Sequence, residues 1–125
     1  LLTRSVKKLK TPQGVTASFD TYNLTTKKAQ QIKASSVEYD LTSFGPKSKW
    51  DELYFLDFYN GGNHDGTFNL YLINNDLIYG HKVNKNQTLK MQQEQGKRPR
   101  FSLKKRLIIP HRIEPIRKNV RLWEP

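Results

Sequence analysis

Asp20, Gln31 and Lys33 are the residues of this chain whose types and spacing bear most directly on chemistry. Gln31 and Lys33 stand two positions apart, so on a β-strand they share a face, and Asp20 at the end of a neighbouring strand can point to the same side. Two side-chain oxygens so placed can hold Mg²⁺, which prefers oxygen ligands and keeps waters that can be delivered to a phosphodiester. Lys33 would orient or deprotonate the attacking water and offset charge on the pentacoordinate phosphate. On spacing alone, Asp-x(10)-Gln-x-Lys equally describes an acid beside a turn and the polar side of a half-exposed strand.

The elements that must position these residues are legible as alternation. Val15, Ala17 and Phe19 alternate with Thr16, Ser18 and Asp20, which predicts a half-buried strand over 15–20. Tyr22 to Lys28 reads as a turn, and Ala29 to Ser35 as a second strand, adjacent and antiparallel to the first. Leu53 to Tyr59 is nearly continuous apolar and aromatic, as in a central strand covered on both faces, and Asn60-Gly61-Gly62-Asn63 ends it. Thr67 to Ile73 is a further strand, after which Asn74-Asn75-Asp76 is expected to turn the chain into a short strand, Leu77-Ile78-Tyr79. Asn86 to Gln95 suits a short helix stopped by Gly96. Arg100 to Leu103 fits a strand or the opening of a helix with Ser102 as its cap. Pro110 onward reads as a basic extended tail whose Val120, Leu122 and Trp123 can dock. The fold class expected is α/β or α+β, a mixed central sheet with flanking helices. The organisation expected is a core over 1–109, a recognition segment over 86–106 and a tail over 110–125.

A chain of 125 residues is one ordinary domain, and its 22 Lys and Arg against 11 Asp and Glu give it a net charge of +11. Fourteen aromatic residues can fill a modest core, which excludes wholesale disorder. The absence of cysteine excludes a disulfide framework, a thiol nucleophile and a cysteine-ligated zinc site, and three scattered histidines give no ligand spacing. No apolar run is long enough for a membrane span and the first residues lack the regions of a signal peptide, so the expectation is a soluble, intracellular protein. The charge is segregated: residues 34–81 hold two basic against seven acidic residues, and residues 82–125 hold thirteen against three. Such segregation favours a polyanion as partner over a merely solubilising surface.

The wider text reads Ser18-Phe19-Asp20, then Gln30-Gln31-Ile32-Lys33-Ala34-Ser35-Ser36-Val37, then Asp40-Leu41-Thr42-Ser43-Phe44-Gly45-Pro46 and Trp50 to Phe58. It resembles the PD-(D/E)XK nuclease superfamily and, within it, the type II restriction endonucleases, over about residues 14–109. Gln92-Gln93-Glu94-Gln95-Gly96-Lys97-Arg98-Pro99-Arg100-Phe101-Ser102 also looks like the Gln- and Arg-rich segment found late in such enzymes. The resemblance implies Asp20, Gln31 and Lys33 as catalytic residues, a metal site of Asp20, Gln31 and the Ile32 carbonyl, Mg²⁺ as cofactor, and a bacterial, cytoplasmic setting. Gln31 departs from the commoner Glu and offers only a neutral amide oxygen. Only about a dozen residues, none acidic, precede the expected first strand, which implies completion by another chain or segment.

Arg98 and Arg100 flank the stiff Pro99, and arginine to guanine O6 and N7 is the commonest base-specific contact. Gln92 and Gln93 could read adenine, and Lys104, Lys105 and Arg106 suit phosphates. The Asn60 to Gly66 loop, with His64, fits either a groove-entering loop or a plain hairpin loop. Asp57, inside an aromatic run, is expected in a structural ion pair. Two function classes follow: a Mg²⁺-dependent, sequence-specific double-strand DNA endonuclease acting as a homodimer, and a non-catalytic DNA- or RNA-binding module. A ribosome-associated basic protein is a third, weaker reading.

Overall fold

The computed structural model describes residues 21–121. Strand β1 (Thr21–Asn23) pairs antiparallel with β2 (Lys28–Ser35), in register Thr21 to Gln30. The reversal is tighter than expected: Tyr22 and Asn23 belong to β1, and the chain turns over 24–27 because the Asn23 Oδ1 accepts from the amides of Thr25 at 2.9 Å and Thr26 at 3.1 Å. The strand expected over 15–20 lies outside the described residues.

After β3 (Thr42–Ser43), β4 (Glu52–Asp57) runs parallel to β2. Its other neighbour, β5 (Thr67–Ile73), is antiparallel. A 3₁₀ turn at Asn60–Gly62 separates β4 from β5. The sequence expectation of a strand covered on both faces is met. Leu53 and Phe55 join Phe44, Trp50, Tyr71, Ile73, Leu103 and Leu107 on one side, and Tyr54 and Leu56 join Phe68, Leu70 and Val120 on the other. The Phe58 amide still donates to the Ser35 carbonyl at 2.8 Å, and the strand ends there because the Asp57 Oδ1 accepts from the amides of Tyr59 at 3.1 Å and Asn60 at 3.4 Å, turning Tyr59 out of the ladder.

Leu77-Ile78-Tyr79 is not a strand. It lies in helix α1 (Asn75–Tyr79), because the Asn74 side chain caps the first turn by accepting from Asp76 at 2.9 Å and Leu77 at 3.3 Å, while Ile78 is buried. The expected helix over 86–95 is α2 (Leu89–Glu94), capped by Thr88 and followed by Gly96 with φ of 76°. Both readings of 100–103 hold in part. Arg100–Phe101 is β6, paired antiparallel with β3, and Ser102 then accepts from the Lys105 amide at 3.1 Å as a π turn (Lys104–Ile108) begins. The segment after Pro110 is extended, but its Arg117–Arg121 forms β7 within the sheet, pairing with β5, and Val120 docks on Phe68 and Leu70. Leu122 and Trp123 lie outside the described residues. The result is an α+β fold whose larger sheet has the order β1-β2-β4-β5-β7, with β3-β6 as a separate ribbon.

Candidate active site and recognition segment

Strand alternation and the β2–β4 register set the site. Gln31 pairs with Leu53 and Lys33 with Phe55, so both side chains share the sheet face that carries the larger core cluster, while Ile32 packs on the other face. Gln31 is 6 % exposed and its Oε1 is buried with no hydrogen-bond partner, an acceptor left unsatisfied at a cost of about 1–3 kcal/mol. The Lys33 Nζ donates to the Ser43 carbonyl at 2.9 Å and stands 5.3 Å from the centre of the Phe44 ring. Asp20 is outside the described residues.

The carboxylates next to this face are otherwise engaged. Asp51 accepts from the Ala29 amide at 2.7 Å, and Glu52 lies on the opposite face, accepting from the Gln30 Nε2 at 3.4 Å and the Tyr54 hydroxyl at 3.5 Å. Burial first, and the Glu52 charge second, raise the Tyr54 pKa. Among the described residues no group of three or more His, Asp or Glu could hold a metal ion. The orphaned Gln31 oxygen is a suitable hard donor for a divalent cation.

The recognition candidates divide sharply. Gln92 donates to Gln87 Oε1 at 3.0 Å, and Gln93 donates to the carbonyls of Gly45 at 2.8 Å and Ser48 at 3.2 Å, so both amides serve the fold. Lys104 is bound to Asp57 at 3.2 Å and lies over the Tyr59 ring, the buried ion pair expected for Asp57. Lys105 and Arg106 are exposed, although an Arg106 Nη2 reaches the Lys82 carbonyl at 3.3 Å. Arg98 and Arg100 are exposed on either side of the buried Pro99, whose carbonyl accepts from the Phe44 amide at 2.9 Å.

The two sets of candidates meet through the β3–β6 ribbon. Ser43, which accepts from Lys33, pairs with Arg100, and the Arg98 guanidinium lies so close to Gly45 that a Cβ there would be 2.9 Å from Nη1. Sequence spacing gave no sign that Ser43, Phe44 and Gly45 join the lysine to the arginines. A separate cleft of about 740 Å³, lined by Trp50, Asp76, Tyr79, Lys90 and Gln93 among others, lies apart from Gln31 and Lys33. Its Trp50 and Tyr79 rings stack at 4.8 Å. None of the helices among the described residues is long and apolar enough to cross a membrane.

The model of the Bsp6I restriction endonuclease family matches residues 5–110. The type II restriction enzyme Bsp6I of Bacillus sp. (strain RFL6) is 43 % identical over 86 residues, which are 67 % of this chain and 48 % of that enzyme. The chain thus spans about half the length of the curated relative it matches. No solved structure matches it. With the family match running from before β1 to just past the π turn, the chain belongs to the Bsp6I restriction endonuclease family.

Proposed function

We propose that this chain carries the catalytic strand and the base-reading segment of a type II, site-specific deoxyribonuclease of the PD-(D/E)XK kind, hydrolysing phosphodiester bonds in double-stranded DNA inside a bacterial cell. One observation carries the reading: in a member of a restriction endonuclease family, the unpartnered Gln31 oxygen and the Lys33 ammonium lie two residues apart on one face of β2. Asp20, Gln31 and the Ile32 carbonyl would hold Mg²⁺, which when bound supplies Lewis-acid stabilisation of phosphate charge and an activated water. The Lys33 Nζ stands by the Ser43 carbonyl and the Phe44 ring, a position from which an ammonium would neutralise charge developing on a phosphate oxygen. Arg98 and Arg100 read base edges in the major groove, and Lys105 and Arg106 contact phosphates within the recognition segment 86–106. Residues 1–109 carry the nuclease core, and the basic segment 110–125 adds the edge strand β7 to that core's sheet. Cutting both strands of a symmetric site requires two such sites, supplied by a homodimer or by a further segment.

A second reading is a non-catalytic DNA-binding module, favoured by the neutral Gln31 and by the lack of an acidic cluster among the described residues. A mixed-sequence plasmid separates the two. Discrete, Mg²⁺-dependent bands that vanish in EDTA, and that Asp20→Ala and Lys33→Ala each abolish without loss of DNA binding, support the enzyme. Gln31→Glu retains activity if Gln31 is a ligand. Binding without cleavage under every metal condition leaves the module.

A further inference from the structure

Past residue 110, where the family match ends, the segment is rich in exposed cations, and its strand β7 forms an outer edge of the large sheet. Strand β7 hydrogen-bonds to β5 on one side only. Its Val120 is buried, whereas Arg117, Lys118 and Arg121 are exposed. Among the described residues none of these three makes a side-chain hydrogen bond or an ion pair within 4.0 Å, although Arg121 is near enough to the exposed Asp65 to help lower its pKa, after the hydrogen bonds from Thr67.

This strand is fixed, not frayed. Asn119 and Asn60 both take left-handed backbone, with φ of 52° and 43°, a conformation that asparagine tolerates best among side chains and that persists only where its surroundings enforce it. The enforcement is a ring of amides. Asn60 donates to Asn119 Oδ1 at 2.8 Å, the Asn119 amide donates to Asn69 Oδ1 at 3.1 Å, and Asn69 donates to Asn60 Oδ1 at 3.1 Å. The ladder shifts register at this point, so Arg117 stands opposite Leu70 and Arg121 opposite Thr67, with Lys118 and Asn119 in a clamped bulge between them.

Charge on an edge strand deters pairing with another sheet, and a mixture of signs would serve for that. Here the charge has one sign, and Glu114 is the lone acid between residues 95 and 121. A second copy pairing antiparallel along this edge would set cation against cation. The register sets Arg121 on the Thr67 face and Arg117 on the Leu70 face of this edge, and a polyanion lying along the edge can neutralise cations on both. Building on the nuclease reading, we infer that β7 is a phosphate-contacting strand, and that Arg117, Lys118 and Arg121 bind the backbone of duplex DNA without reading its sequence.

The test is the salt dependence of duplex binding. Each phosphate contact contributes about 0.9 to the slope of log K against log salt, so the triple variant Arg117→Gln/Lys118→Gln/Arg121→Gln should lower the slope by about 2 to 3. It should also weaken random and preferred duplexes by the same factor. Lys118→Gln, a change at an exposed position that leaves the Asn60–Asn69–Asn119 ring intact, should lower the slope by about one. Unchanged slopes in both variants overturn the assignment, and so does a fall seen on single-stranded RNA but not on duplex DNA. A chain that cleaves with Mg²⁺ yet keeps its slope sinks the strand assignment alone. Lowered slopes in a chain with neither sequence preference nor cleavage keep the assignment and sink the nuclease.

Discussion

Adding one methyl group at Gly45 tests whether Arg98 reads a base. An alanine Cβ at this buried position would fall 2.9 Å from the Arg98 Nη1 and 3.1 Å from its Cζ and Nη2. Ordinary contact begins near 3.4 Å, so the guanidinium has to retreat by about 0.5 Å or more. The backbone raises no objection, because Gly45 is not among the residues with positive φ, and an alanine in compatible backbone gains about 0.4–1 kcal/mol through the unfolded state. The Arg98 side chain is exposed and long, so its retreat costs little, and net stability should change by less than about 1 kcal/mol. Recognition should not escape so lightly. A bidentate arginine–guanine contact is worth roughly 1–3 kcal/mol of discrimination and depends on the fork's placement, so Gly45→Ala should lower the ratio of specific to random duplex affinity by about tenfold. The assay is competition anisotropy with a preferred duplex selected from a randomised pool, run on Gly45→Ala, Arg98→Ala and the double variant. If the methyl acts through Arg98, Gly45→Ala is silent in the Arg98→Ala background. Full discrimination in Gly45→Ala, or losses that simply add, would refute the argument.

Asp57→Ala removes the partner of Lys104 and strips the acceptor from two backbone amides, and should destabilise the chain by about 3 kcal/mol in urea denaturation, with a change below about 1 kcal/mol counting against a structural pair. His81 lies 4.7 Å from the Phe101 ring with its Nε2 buried and unpartnered, and burial, followed by the charges of Arg106 and His111, holds its pKa below 6.5. The unfolded chain therefore takes up that proton first, so the stability due to His81 is complete above pH 6.5 and declines as pH falls below it. In His81→Phe the urea midpoint should differ less between about pH 5.5 and about pH 7.5 than in the parent chain, and an equal difference would remove His81 as the cause.

The strands were legible wherever one physical signal dominated. Alternation located β2 and the shared face of Gln31 and Lys33, and the nearly continuous apolar run of 53–59 announced a strand buried on both sides. The signals failed where a single side chain outweighed a pattern. Leu77 to Tyr79 has the composition of a strand, but the Asn74 carboxamide caps a helix there, and three apolar residues are too few to resist it. The paired role of Asp57 could be read from its apolar neighbours, whereas its partner Lys104, forty-seven positions later, could not. That the Gln92 and Gln93 amides donate to Gln87 and Gly45 was not legible, because composition shows which groups can hydrogen-bond and not which are already bonded. The β3–β6 ribbon, two residues on each side, is too short for any period to reveal.

The position of β7 has a consequence for how the chain is made. During synthesis β5 leaves the ribosome well before its outer neighbour, because everything from Ile73 to Arg117 has to emerge in between. Through that interval the edge running along Thr67-Phe68-Asn69-Leu70-Tyr71-Leu72-Ile73 has no strand on its far side, and Phe68 and Leu70 lack the cover of Val120. An uncovered apolar edge invites pairing between nascent chains. A chain cut off after the family match would leave that edge permanently bare, and only when the strand past residue 110 pairs with β5 is the edge closed.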